Sequence, residues 1–132
     1  MKDLIWDNSL SVEVDEIDDD HRKLVELFNM LNHSVMEGDA PDYVEAVLEE
    51  LISCTVWHFR HEERLMQKYA YQGMAEHKAE HQQLIESAKE LQQKFQQGTS
   101  VSSEDIEFLE HWLTGHILGV DMELGSFLGE VM

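Results

Sequence analysis

The chain has 132 residues, the size of one ordinary domain and enough to bury an apolar core without disulfides or a structural metal. It carries 28 acidic against 9 basic side chains, a formal net charge of −19, and so repels phosphate backbones and anionic lipid surfaces. That balance argues against a nucleic-acid or membrane-surface role, and 42% hydrophobic residues in periodic array argue against disorder.

In chain order, residues 1–18, with Trp6, read as an irregular N-terminal arm. A first helix is predicted over 19–37, its inward stripe His21, Leu24, Phe28, Leu31 and Val35. Gly38-Asp39-Ala40-Pro41 breaks it. A second helix follows over 41–66, with Val44, Leu48, Leu51, Thr55, His58 and Glu62 on one face. The stretch 69–73 separates it from a third over 74–97, where His77, His81, Leu84, Ala88, Leu91 and Phe95 align. Gly98-Thr99-Ser100 ends that segment, and Ser102-Ser103-Glu104 offers caps for a fourth over 103–119, with Ile106, Leu109, Leu113 and His116 inward. The tail 120–132, with Leu124, Phe127 and Leu128, is apolar enough to pack back on the bundle. No alternating strand pattern and no repeat interrupts this. The expected fold is all-α: one domain over 1–132, an up-down-up-down antiparallel four-helix bundle with short connections.

His21 opens the first helix, His58 and Glu62 close the second, His77 and His81 open the third, and His116 closes the fourth. In an up-down-up-down bundle these positions meet at one end. Each apolar stripe therefore runs directly into metal-competent side chains, and buried imidazoles and carboxylates are costly unless paired or coordinated. His58/Glu62 and His77/His81 are i, i+4 pairs that share a helix face. Asp121 is placed less directly: five residues beyond His116 it lies about 140° around an ideal helix, and strict periodicity selects Val120 unless Gly119 loosens the backbone.

Imidazole with carboxylate suits iron, zinc or manganese, and the lack of thiolates argues against an iron–sulfur cluster. Two octahedral ions offer twelve positions. Five histidines, two bridging carboxylates and a bridging oxygen leave one open, room for one small diatomic ligand. Carboxylate-type di-iron bundles carry Glu-x-x-His, and zinc proteases His-Glu-x-x-His; Leu65 stands where either motif needs histidine. His33, His61 and His111 read as solvated or capping residues, Cys54 as a small buried filler, and Met30, Met36, Met66 and Met74 as packing. Glu63 is read either as a surface carboxylate or as a group orienting a histidine from behind.

The pieces Ile17-Asp18-x-x-His21, His58-Phe59-x-x-Glu62-Glu63-x-x-Met66, His77-x-x-x-His81 and Trp112-x-x-x-His116-Ile117-x-x-x-Asp121 occur in this order. Together they resemble the hemerythrin family, and its single-domain bacterial members in particular, from about Trp6 to Phe127. The resemblance implies two iron ions, cycling between ferrous and ferric, with an oxo or hydroxo bridge. It implies that His77, His81 and His116 hold one iron, that His21 and His58 hold the other, and that Glu62 and Asp121 bridge them. Leu24, Phe59, Trp112, Leu113 and Ile117 match positions lining the family's oxygen pocket. One departure is the turn before the third helix, often Gly-Tyr-Pro in the family and Ala70-Tyr71-Gln72 here.

The function so implied is reversible dioxygen binding for transport, storage or delivery, with no catalytic turnover. The competing readings are a sensor of oxygen, nitric oxide or redox state, and a ferroxidase-type enzyme. The sequence runs about ten residues past Asp121, so the expectation is a stand-alone domain without a sensor's output domain. The expected protein is a monomer, with dioxygen as ligand and an oxygen-consuming enzyme as recipient. One cysteine, no basic-then-apolar leader and no apolar stretch near the ~20 residues that span a bilayer place it in the cytoplasm.

Overall fold

The computed structural model describes residues 3–98 and 100–132; Met1 and Lys2 of the arm, and Thr99 of the break before the fourth helix, lie outside the described residues. Helices α1 (Asp15–Met36), α2 (Pro41–Lys68), α3 (Met74–Gln96) and α4 (Ser103–His116) form the bundle. A π-helical turn, Ile117–Asp121, leads without a break into α5, Met122–Val131. No strand occurs among the described residues. Helix α2 packs between α1 and α3, and α4 closes against α1 and α3.

At the chain ends one expectation is corrected, and the tail packs back on the bundle as expected. Helix α1 starts at Asp15, four residues earlier than the stripe suggested. Asp18, placed in the arm by the sequence, lies in this first turn and is buried; its carboxylate accepts from the Val12 N–H at 2.9 Å and the Ser11 hydroxyl at 2.6 Å. With Asp15 and Glu16 it also places negative charge at the helix N-terminus, where the dipole favours it. The C-terminal tail is helical as well. Leu124 and Leu128 join Val12, Val14, Ile17, Leu65 and Met66 in a second apolar cluster beside the main one. The arm, read as irregular, contains a 3-10 turn, Asn8–Leu10, and its last residues, Val12 and Val14, are seated between α1 and α5.

Two backbone positions make predictions. The end of α2 is a Schellman turn: the Tyr71 N–H donates to Met66 O at 2.9 Å and the Ala70 N–H to Gln67 O at 3.3 Å. Ala70 holds the left-handed position, φ +54°, where a Cβ costs about 1–2 kcal/mol. Ala70→Gly is expected to raise stability by about 0.5–1 kcal/mol after the greater unfolded-state freedom of glycine is set against that relief, measured by urea denaturation. Gly125 shows the opposite case. A methyl there would collide with the Val12 carbonyl oxygen and lie 2.8 Å from Val12 Cβ. Gly125→Ala should lower stability by about 1–3 kcal/mol, the cost of overpacking. An unchanged midpoint would mean that the arm is not held against α5.

Candidate metal centre

The four bundle helices and the π turn bring all seven expected residues to one place. His21 stands in the second turn of α1, His58 and Glu62 near the end of α2, His77 and His81 in the opening turns of α3, and His116 and Asp121 at the two ends of the α4–π junction. None is more than 5% exposed. The π turn resolves the problem of Asp121. It spreads one extra residue over the turn, so that a five-residue step from His116 returns to the same face.

The Nε2 atoms of all five histidines point at the two carboxylates, and the contacts divide cleanly. Glu62 Oε1 lies 3.1 Å from His77 and 3.0 Å from His81, with His116 at 3.8 Å. Glu62 Oε2 lies 2.9 Å from His58 and 3.6 Å from His21. Asp121 repeats the pattern: Oδ1 is 3.0 Å from His77 and 3.1 Å from His116, and Oδ2 is 2.9 Å from His21. Two ligand groups result, Glu62/His77/His81/His116/Asp121 and His21/His58/Glu62/Asp121, sharing only the two carboxylates. Each carboxylate offers one oxygen to each group.

Behind the ring of Nε2 atoms, three histidines are held from the other side. The Nδ1–H of His58 donates to Asp20 at 2.9 Å, that of His81 to Glu63 at 2.9 Å, and that of His116 to Glu80 at 2.8 Å. A carboxylate on Nδ1 fixes the tautomer that leaves the Nε2 lone pair free for a metal. The alternatives left open for Glu63 thus resolve to the orienting role. Sequence reasoning missed Asp20 and Glu80, although each directly precedes a predicted ligand. His61, read as solvated or capping, also donates to Asp20, at 2.6 Å, and joins a small outer group with Asp20 and His58. His33 pairs with Asp3 at the surface.

The chemistry of the donor set fits a metal pair. His21 Nδ1 and Nε2, His58 Nε2, His77 Nδ1, His116 Nε2, Glu62 Oε2 and both Asp121 oxygens are buried without a hydrogen bond. Six of these eight atoms are those that converge at the centre, and buried polar atoms are rarely left unpaired without a reason such as an ion. In the metal-free protein the cluster holds itself together by charge. Burial pushes the His116 imidazole down, but the Asp121 and Glu62 carboxylates outweigh it and carry it up to about 11. Against the same burial, Glu62 and Asp20 raise His58 to about 9, and Asp121 and Glu62 raise His77 to about 9 and lift His21. Burial and the Glu62 charge push the Asp121 carboxyl up, while His116 and His21 bring it down to about 2. Glu62 falls well below the usual carboxylate range, its burial overcome by His58, His116 and His21.

A small cavity of about 10 Å³ adjoins the cluster, about the least that holds one water-sized molecule. His21, His58 and His116 form its polar wall, and Leu24, Phe59, Trp112, Leu113 and Ile117, the five residues expected in a pocket, all line it. Thr55 and Leu84 complete the lining. Polar hydrogens are turned to the backbone: the Thr55 hydroxyl donates to Leu51 O at 2.7 Å, and the Trp112 indole N–H to Leu84 O at 2.8 Å. Phe59 stacks on the His81 ring at 3.8 Å between centroids.

A helical bundle with a buried imidazole–carboxylate cluster at one end defines a metal-binding bundle protein. The pattern of the Hemerythrin HHE cation binding domain matches residues 12–128. The chain is 35% identical over 121 residues to a protein named Bacteriohemerythrin from Pseudomonas paraeruginosa, covering 92% of this chain and 78% of that one. It is 36% identical over 112 residues to a Bacteriohemerythrin from Methylococcus capsulatus, covering 84% and 85%. A crystal structure of wild-type hemerythrin superposes with a TM-score of 0.87 at 33% identity, covering 93% of this chain and 95% of that one. The chain belongs to the hemerythrin family. No helix among the described residues is long and apolar enough to cross a membrane.

Proposed function

We propose that this protein binds dioxygen reversibly at a non-haem di-iron centre, as a carrier, store or delivery protein and not as an enzyme. The observation that carries the reading is the division of Glu62 and Asp121 oxygens between a three-histidine and a two-histidine group, with a mainly apolar cavity that touches both histidines of the latter and His116 of the former. His77, His81 and His116 would hold one iron, His21 and His58 the other, and Glu62 and Asp121 would bridge them. When bound, an iron pair would supply the reversible two-electron redox chemistry that dioxygen binding needs.

The chain's own residues do the rest. Asp20, Glu63 and Glu80 keep His58, His81 and His116 in one tautomer and one rotamer. Leu24, Phe59, Trp112, Leu113 and Ile117 exclude water, which slows loss of reduced oxygen and the stranding of oxidised metal. Thr55 and Trp112 spend their donors on Leu51 and Leu84, so neither offers a proton to the cavity. Among the described residues that line the cavity, no nucleophile is paired with a general base.

The test is an optical spectrum of iron-loaded, anaerobically reduced protein before oxygen, after oxygen and after purging with argon. Charge-transfer bands that appear with oxygen and vanish on purging are expected. Bands that persist, or rapid oxidation with release of peroxide, would replace this reading with a sensor or an oxidase.

A further inference from the structure

The charge on this molecule is unevenly distributed. Residues 60–94 contain six basic and six acidic side chains and are neutral, so the remaining residues carry the whole −19. No lysine or arginine occurs after Lys94. Three of the nine cations, Arg60 of α2 and Lys78 and Lys89 of α3, line one groove of about 260 Å³ between these helices. None of the three makes an ion pair with a described residue, although acidic groups outnumber basic ones threefold in the chain. The one carboxylate in the groove, Glu63, is engaged by the Nδ1–H of His81 at 2.9 Å.

The groove also has an apolar wall. Val56 and Ile85 lie between the cations, partly exposed, and the stacked rings of Phe59 and His81 lie beneath them, buried. Lys78 and Lys89 are eleven residues apart on one helix, about 16 Å along its axis. Two lysines thus stand about three helical turns apart along an apolar trough, and Arg60 lines it from the facing helix. In so acidic a protein, three cations that face one groove with a single, already engaged carboxylate make this a local exception to the repulsion of anions.

We propose that the α2–α3 groove binds a small organic anion that combines a planar apolar ring system with phosphate, the chemistry of a mononucleotide or flavin nucleotide. The rings would lie along Val56 and Ile85, and the phosphate would pair with a lysine or Arg60, which suits phosphate by its forked geometry. The occupant would then rest on Phe59 and His81. Phe59 also lines the cavity at the metal cluster, so the two spaces share a wall.

The experiment is equilibrium dialysis of the iron-loaded protein against flavin mononucleotide, adenosine triphosphate and inorganic phosphate in separate arms. Saturable binding of one nucleotide per chain is expected, with the two nucleotides distinguishing a flavin from an adenine site. The double variant K78E/K89E should weaken it by about tenfold or more, since two attractions become repulsions. Ile85→Asp should weaken binding of the nucleotides without creating affinity for inorganic phosphate. Helical content by circular dichroism checks that these exposed positions leave the fold intact. Absence of binding by both nucleotides, binding that K78E/K89E leaves unchanged, or inorganic phosphate binding as well as the nucleotides would each overturn the proposal. The optical response to oxygen is read separately, so failure of the groove and failure of the metal reading are told apart.

Discussion

Glu62→Ala is expected to remove the metal centre outright, with the iron content of reconstituted protein falling from about two ions per chain to near zero by atomic absorption. Glu62 is the residue that both ligand groups share with the widest set of histidines: His77 and His81 on Oε1, His58 on Oε2, and His21 and His116 slightly farther off. Its loss would leave five buried imidazoles around Asp121 alone, and breaking a buried charge pair costs about 3–5 kcal/mol. Truncating a carboxylate behind the ring should be milder. Glu80→Ala frees the Nδ1 side of His116 but leaves every Nε2 in place, so iron affinity should fall by about 10–100-fold. A Glu62→Ala protein that still held two irons would end the bridging assignment.

The second large effect is opposed pH dependence of the metal-free and metal-loading behaviour. In metal-free protein His58 and His77 titrate near 9 and His116 near 11, so all three are protonated at pH 7. Their pKa values are raised by folding from an ordinary 6.5. The stabilisation from these imidazoliums is therefore fully present below about pH 6.5 and is lost as pH rises through about 9 and then about 11. Thermal denaturation of the metal-free protein should show stability declining from about pH 6.5 to about pH 11. Metal binding needs the same nitrogens deprotonated, so affinity should climb over that range. Loading at pH 7 in weak buffer should release protons from these three histidines, seen with an indicator dye. Loading with no proton release would mean that the imidazoles are neutral beforehand and that the carboxylates do not hold them charged.

Much of this centre was legible because apolar stripes and metal-competent residues share helix faces. His21 follows the phase of Leu24 and Phe28, His58 and Glu62 that of Leu51 and Thr55, and His116 that of Leu109 and Leu113. Asp121 was harder for a physical reason: its aim depends on a π turn, and a 3.6-residue period points to Val120. Asp20 and Glu80 were not legible as partners of His58 and His116, from which they are 38 and 36 residues distant. A carboxylate adjoining each inward histidine, as in Asp20-His21 and Glu80-His81, was the available signal. Neighbours in sequence point to different sides of a helix, so such a carboxylate serves a histidine from another helix. The start of α1 was missed because Asp18 is a charged residue that holds the arm, in a run where Asp15, Glu16 and Asp19 face water.

Asp121, Leu124 and Leu128 stand at i, i+3 and i+7 and form one stripe, with no break between the end of the π turn and α5. Leu124 and Leu128 are fully buried against Val12, Val14 and Ile17. Any torque that turned α5 on its axis would lift these leucines from their seats and swing Asp121 away from His21, His77 and His116 together. The last helix thus carries Asp121 at its head, and the N-terminal arm holds that helix in place through contacts that begin within its first turn. Residues with no contact to the imidazoles, Val12 and Gly125 among them, set the angle at which a buried carboxylate presents its two oxygens.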